Sequence, residues 1–219
     1  MRIVALTLCE YPWERFRERE TRVFRLAMPS VPSESFHSLL ATMKRAGAAL
    51  RENGVDHMLG GGLAIWARGG PPTDHDVDFF LREEDADRAL DVLTEVGFRP
   101  ERPPEHWLYK AWEGTNLVDL VFHPAGGPIG HEHFARATEL EVSAHRTLVA
   151  SIDDVLVAKL LAINEQEPDF RAVLEISRAV REQVNWKSVA QRTSDSPFAR
   201  AFFELAEGLA IVDVDVGAV

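Results

Sequence analysis

A run of three glycines followed by two alternating aspartates is the feature that most constrains this chain. Gly60, Gly61 and Gly62 follow a short apolar segment, and Asp76 and Asp78 come later, in the run Asp-Val-Asp-Phe-Phe. Residues two apart on a strand project from the same face, so both carboxylates point into one site while the apolar residues between them face a core. The pattern predicts a glycine turn and an acidic strand that share one site.

Two carboxylates held this close favour a bound cation. Their charges repel, which raises the pKa of one of them unless a cation lies between them, and hard oxygen ligands suit Mg²⁺ or Mn²⁺. The segment 63–67 is typical of the first turns of a helix, and the N–H groups of a glycine turn before a helix bind phosphate oxygens. A glycine run alone is weak evidence, because about half of such turns are only structural. The order and spacing of the two motifs are stronger evidence, and they favour metal-assisted phosphoryl chemistry.

With this order of motifs the chain resembles the nucleotidyltransferases of the DNA polymerase β superfamily. In that family a Gly-Gly or Gly-Ser turn and a helix precede an aspartate, a hydrophobic residue and a second acid, and here Asp76 follows Gly62 by 14 positions. The third acid of the family lies on a later strand, and Asp119 is the only charged residue in the apolar run 116–122. A buried lone aspartate is costly unless it is paired or binds a metal, so we favour a functional role for Asp119.

The resemblance implies the fold and the principal site residues. The expected fold is the polymerase β-like α/β (α+β) fold, a mixed sheet flanked by helices with a helical C-terminal region. The residues that bind Mg²⁺ or Mn²⁺ and support catalysis are Asp76, Asp78 and Asp119. The glycines that hold the triphosphate are Gly61 and Gly62.

Three further positions have both a functional and a structural interpretation. Several bacterial members carry a lysine on a helix like 152–164, where it contacts triphosphate oxygens; Lys159 matches it, although a lysine also extends from an apolar face to solvent without any such role. Toxin-like members carry a further acid after this lysine, and Asp169 either serves the nucleotide or caps the helix 170–183. His75 precedes the first acid and either contacts a phosphate or base or ends a loop.

Toxin-like members also carry an arginine shortly before the first acid. This chain has no arginine at that place. Arg68 either replaces it or is a solvated cation at a helix end. Lys110 is placed to reach a nucleotide. Trp107, with Tyr109 and Trp112, either stacks on a base or fills the core, and we favour the core for aromatic residues on strands.

The 219 residues fit one domain with a helical appendage. We expect an N-terminal extension at 1–34, a nucleotidyltransferase core at 35–150 and a helical region at 151–219 that packs on the core. His131 and His133 are expected in a loop, because no third metal ligand of matching spacing lies near them.

Periodicity and turn residues predict the individual elements. The predicted helices are 35–53, 83–96, 152–164, 170–183, 186–192 and 196–211. The predicted strands are 55–59, 107–112 and 116–122, with the last two in a hairpin, and 138–142 and 146–150 as edge strands. Ser151 and Asp154 form a capping box for the predicted helix 152–164. We therefore assign Asp153 and Asp154 to capping rather than to a second metal pair. In the last helix Phe202, Leu205 and Leu209 are predicted to face inward.

Charge and cysteine content limit the classes of function. The formal net charge is −11, which argues against broad, nonspecific nucleic-acid binding. The arginine-rich segment 15–25 either follows an RNA backbone, docks an acidic partner or forms a solvated face, and we favour the solvated face. Cys9 is the single cysteine, so an intramolecular disulfide is excluded and a cytoplasmic protein is expected. We expect no membrane segment.

The sequence therefore predicts transfer of a nucleoside monophosphate from an NTP to an acceptor hydroxyl, with release of pyrophosphate. The resemblance favours a toxin-like enzyme that acts on tRNA, with a cognate antitoxin protein as a further partner. Modification of an aminoglycoside-like antibiotic is the second interpretation, and the acidic composition supports it. A catalytically silent binding module of the same fold is the third.

Overall fold

The computed structural model describes residues 33–73, 75–166 and 168–213. The predicted N-terminal extension lies outside these ranges except for its last two residues, and so do its arginine-rich segment and Cys9. All described residues belong to a single unit built around one sheet.

The sheet has seven strands in the described part of the chain. The strands are β1 (Met58–Leu59), β2 (Asp76–Phe80), β3 (Arg99–Glu101), β4 (Leu108–Glu113), β5 (Asn116–Val121), β6 (Thr138–Val142) and β7 (His145–Val149). Their spatial order is β3-β4-β5-β2-β1-β7-β6. β2 is parallel to β5 and β1 is parallel to β7, whereas the other neighbours are antiparallel. The mixed α/β class predicted from the sequence is confirmed.

Eight α-helices flank this sheet in the described ranges. They are α1 (Glu34–Glu52), α2 (Gly61–Trp66), α3 (Glu83–Glu95), α4 (His131–Arg136), α5 (Ile152–Ala162), α6 (Phe170–Val180), α7 (Trp186–Arg192) and α8 (Pro197–Gly208). A short 3₁₀ turn, Arg181–Gln183, follows α6. No helix of the described residues is both long and apolar enough to cross a membrane.

The first helix shows how local sequence fixes an element. The Ser33 hydroxyl accepts a hydrogen bond from the backbone N–H of Phe36 and so caps α1. Phe36, Leu39, Met43 and Leu50 recur at helical spacing and are buried. α1 therefore packs with this face against α3, β2 and β5.

Helix α5 lies at the centre of the helical side. Its buried residues include Val155, Leu156, Val157 and Leu160, and the helix contacts α2, α6, α7 and α8. Because three of these residues are consecutive, the helix is apolar around most of its circumference, as expected for a helix enclosed by others. This position brings its one lysine, Lys159, beside the sheet.

A buried carboxylate fixes the start of α5. Ser151 caps the helix, as predicted, by accepting from the backbone N–H of Asp154. The Asp154 carboxylate also accepts from Arg136 at 2.9 and 3.0 Å and from Arg192 at 2.6 Å, which joins α4 and α7 to α5. Burial opposes ionisation of Asp154, but the hydrogen bonds from Arg136, Arg192 and Ser151 outweigh it and lower its pKa.

Four predictions about the fold were wrong in part. β7 is an inner strand between β1 and β6 rather than an edge strand. β3 was not predicted, because its three residues include a proline and show no alternation. His131 and His133 lie in α4 rather than in a loop, and the Nδ1 atom of His133 accepts a hydrogen bond from the Gly130 N–H at 3.0 Å.

The fourth error concerns which side of α8 faces the core. Phe202 is buried as predicted, but Leu205 and Leu209 are 41% and 47% exposed. Phe203 and Ala206 fill the inward face instead. The helical spacing was right, and the apolar stripe is rotated by one residue from the predicted one.

Candidate active site

The pairing of β2 with β5 assembles the acidic residues. Asp76 and Asp78 leave the same face of β2, while Val77 and Phe79 on the other face are fully buried. In the parallel register Asp78 lies directly opposite Asp119 of β5. The three carboxylates thus share one face of two neighbouring strands.

These carboxylates lie close enough to bind one metal ion. One oxygen from each of Asp76, Asp78 and Asp119 lies within 4.8 Å of the others, and this is the only such His, Cys, Asp or Glu cluster in the ranges the structure describes. A set of carboxylate oxygens alone suits Mg²⁺ or Mn²⁺ rather than Zn²⁺ or copper. The donor set and spacing fit the predicted metal site.

Electrostatics show the cost of holding these groups together without a cation. Burial raises the pKa of Asp78 to about 7, and the charges of Asp76 and Asp119 add to the shift. The charge of Lys159 and a hydrogen bond from the backbone N–H of Gly62 oppose it. A divalent cation would remove most of this cost, because it favours the ionised form of every ligand.

Asp119 has its own counter-charge. It is only 7% exposed, and burial raises its pKa, but the Nζ atom of Lys110 lies 3.1 Å from its Oδ1 and opposes the shift. Lys110 stands directly across from Asp119 in the antiparallel pairing of β4 with β5. Lys110, which was predicted to reach a nucleotide, therefore forms an ion pair with Asp119, the third acid of the site.

The glycine turn packs directly on the acidic strand. The Gly60 N–H donates to the Asp78 carbonyl at 2.8 Å, and α2 begins at the next residue. Gly61 has a φ of +50°, and a Cβ atom there would lie 1.6 Å from the Oδ2 atom of Asp78. Only glycine allows the turn to approach the Asp78 carboxylate this closely.

A cleft of about 860 Å³ opens above these groups. Six predicted site residues line it, namely Gly61, Gly62, His75, Asp76, Asp78 and Lys159. Asp119 is adjacent to this lining through the cluster it forms with Asp76 and Asp78. Six of the eight predicted site residues therefore line one cleft, and Asp119 lies next to two of them.

The eighth residue, Asp169, does not line the cleft. Its side chain accepts a hydrogen bond from the backbone N–H of Arg171 at 2.9 Å and caps α6. The structural interpretation of Asp169 therefore has an observed contact, and its role toward the nucleotide stays a prediction. Arg68 also lies elsewhere, because its guanidinium donates to the carbonyl of Ala150 at 2.9 Å, just after β7.

Sequence reasoning missed part of the lining. The loop that contains His123, Gly126 and Gly127 forms one side of the cleft, and Trp107 lies on its border. The segment 124–130 is rich in proline and glycine, which is typical of a loop but does not show where that loop lies in the fold. Trp107 was assigned to the core and is 43% exposed. It lies one residue before β4, where the alternation of the strand no longer fixes its direction.

Comparisons with known proteins identify the fold. No protein-family model matches the chain, and no curated protein matches its sequence. A crystal structure of ANT(2'')-Ia in complex with adenylyl-2''-tobramycin is 17% identical over 77% of this chain and 98% of its own, with a TM-score of 0.55. The solution structure of this antibiotic-resistance factor is 18% identical over 79% and 96% of the two chains, with a TM-score of 0.55. A protein from H. pylori assigned to the nucleotidyltransferases is 15% identical over 85% and 88%, with a TM-score of 0.52. The chain has the nucleotidyltransferase fold.

Replacing Asp78 by asparagine should stabilise the metal-free protein. A raised pKa means that the folded state binds this proton more tightly than the unfolded chain, so stability from this group falls as pH rises between about 4 and 7. We expect Asp78→Asn to gain about 1–3 kcal/mol at pH 8 in EDTA, and the gain to shrink toward pH 4. Chemical denaturation at several pH values measures it.

The exposed Asp91 of α3 provides the control. Asp91→Asn should change stability by less than about 0.5 kcal/mol at every pH. An Asp78→Asn protein no more stable than the wild type at pH 8 would show that the carboxylates are not under electrostatic strain.

Substituting Gly61 by alanine should damage the metal site itself. The added Cβ would displace the Asp78 carboxylate, so we expect Mn²⁺ affinity to fall at least about tenfold in isothermal titration calorimetry. Gly114 is the matched control, since its φ is +60° but nothing lies within 4 Å of a Cβ there. Gly114→Ala should show the same backbone strain with unchanged Mn²⁺ affinity, and equal Mn²⁺ binding by both variants would contradict the role of Gly61.

Proposed function

We propose that this protein is a metal-dependent nucleotidyltransferase that moves a nucleoside monophosphate from an NTP to an acceptor hydroxyl. The observation that carries the proposal is the cluster of three carboxylates, with oxygens within 4.8 Å of one another, beside a glycine turn in a cleft of the nucleotidyltransferase fold. Retention of all three acids argues against the silent binding module.

The proposed reaction forms one bond and breaks one. The acceptor oxygen attacks the α-phosphorus, the bond from that phosphorus to the bridging oxygen of the β-phosphate breaks, and pyrophosphate leaves. A divalent ion bound by Asp76, Asp78 and Asp119 would supply charge neutralisation of the triphosphate and a lower pKa for the hydroxyl. Asp119 is the proposed acceptor of the hydroxyl proton.

Positive groups of the chain serve the leaving group in this proposal. Lys159 lies on the wall of the cleft, and its charge already acts on Asp78. The glycine turn at Gly61 and Gly62 lines the same cleft. Phosphoryl transfer depends on positioning and electrostatic stabilisation, so these groups would stabilise the charge that develops on pyrophosphate.

The scarcity of positive charge in the cleft disfavours a polyanionic acceptor. Among the described residues that line it, Lys159 is the single lysine or arginine, and the proposed metal would offset the charges of Asp76 and Asp78. A tRNA acceptor requires a cationic path for its phosphates, whereas a polycationic hydroxyl compound does not. ANT(2'')-Ia, which shares the fold, is seen in complex with adenylyl-2''-tobramycin. We therefore place an aminoglycoside-like acceptor before tRNA.

Transfer to tRNA is the second candidate. The order of glycine turn, acid pair, Lys159 and Asp169 resembles toxin-like members, and the chain carries an arginine-rich segment at 15–25, which is not among the described residues. An antitoxin partner belongs to this second candidate only.

The test is a transfer assay with each α-³²P-labelled NTP, Mg²⁺ and either a set of aminoglycosides or total tRNA. We expect label in an aminoglycoside, and at least about a 100-fold slower reaction with Asp76→Asn because a metal ligand is lost. Asp91→Asn should react at the wild-type rate. Label in tRNA alone would change the proposed acceptor but not the proposed reaction. The absence of both transfer and Mg²⁺-dependent NTP binding would refute the proposed enzyme activity.

A further inference from the structure

Trp107 is an exposed aromatic side chain at the cleft that holds the acidic residues. It is 43% exposed and lines the same cleft as Asp76 and Asp78. Leaving an indole ring in water forgoes a large amount of apolar burial, and exposed aromatic groups at a cleft are typical of ligand contacts. The exposure therefore needs an explanation in terms of what the cleft binds.

The other tryptophans of the described residues have partners for their rings. The ring of Trp66 contacts Phe36 edge-on at 4.9 Å between centroids, and that of Trp186 contacts Phe203 at 6.4 Å. Trp112 donates its Nε1–H to Glu101 at 2.8 Å and lies under the guanidinium of Arg99. Trp107 has neither a ring partner nor a hydrogen bond to Nε1 within the described ranges. Its flat face is available to a ligand.

The backbone of Trp107 is nevertheless held firmly. Its carbonyl accepts hydrogen bonds from the N–H groups of Phe122 and His123, both at 3.1 Å, and the next residue, Leu108, pairs with Val121 of β5. β5 also carries Asp119, so the backbone of Trp107 is held at the end of a strand that carries one acid of the cluster. A ring fixed in this way loses little backbone freedom when it binds a ligand.

The remaining walls leave space for a flat group. Val155, Ala158 and Ala162 line the cleft from one face of α5, and two of them are alanines. The loop after β5 joins α5 to Trp107, since the His123 N–H donates to the Trp107 carbonyl and a Cβ on Gly126 would lie 3.5 Å from Val157 of α5. Small, uncharged walls accept a planar ring more readily than a polycation.

We propose that Trp107 stacks on the base of the bound NTP, while the triphosphate lies at the glycine turn and Lys159. This inference rests on the proposed function and identifies a nucleobase-binding residue within it. An aromatic face stacks on every base, so the contact should strengthen binding of all four NTPs, with the larger purines gaining most.

The test separates the base from the phosphates. Isothermal titration calorimetry with Mg²⁺ measures binding of an α,β-methylene NTP, which cannot be cleaved, and of tripolyphosphate, which has no base. We expect Trp107→Ala to weaken the nucleotide analogue about tenfold or more and to change tripolyphosphate affinity less than about twofold. Trp107→Phe should retain most of the nucleotide affinity. Leu209→Ala, which removes an exposed apolar side chain just after α8, should change neither.

Other outcomes reject the inference in distinct ways. If Trp107→Ala binds the analogue with unchanged affinity, stacking of Trp107 on the base is overturned, even if the KM for the acceptor rises. An equal loss for both ligands would show that Trp107 only supports the phosphate site, and this also overturns it. A wild-type protein that binds neither ligand would refute the proposed function itself, together with this inference.

Discussion

The parallel pairing of β2 with β5 is the constraint on which the site depends. It places Asp78 opposite Asp119 and leaves Asp76 on the same face, so three acids meet in a partly buried position. Their mutual repulsion is a cost that the folded protein sustains, because Val77 and Phe79 on the other face are held in the core. A shift of one residue in either strand would turn these side chains to the opposite faces and destroy both the core and the site.

Fixed positive groups offset part of this cost from several directions. Lys110 contacts Asp119 across β4 and β5, and Lys159 acts on Asp78 from α5. The position of α5 depends in turn on Asp154, which joins it to Arg136 and Arg192. The helical region thus supplies a counter-charge and a wall of the cleft at once. Such groups reduce repulsion in the metal-free protein and would act on triphosphate charge when a nucleotide binds.

The sequence predicted those parts of the fold and site that depend on local periodicity. Asp76 and Asp78 were assigned to one face from their spacing alone, and the helices and the β4–β5 hairpin followed from apolar spacing and turn residues. Long-range pairing was beyond its reach: no local signal shows that β7 lies inside the sheet or that β2 pairs in parallel with β5. The exposure of Trp107 was missed because, in the sequence, an aromatic residue beside a strand resembles a core residue. Only the structure shows that the pairing of β4 with β5 begins at Leu108, so that Trp107 lies outside the strand.

Anomalous diffraction from crystals grown with Mn²⁺ and an uncleavable NTP tests the metal site most directly. The account predicts manganese peaks within coordination distance, about 2.2 Å, of oxygens from Asp76, Asp78 and Asp119, with the triphosphate beside them. Manganese bound only elsewhere, or absent while the nucleotide is bound and the three carboxylates keep their positions, would contradict the claim that this cluster exists to hold a catalytic metal.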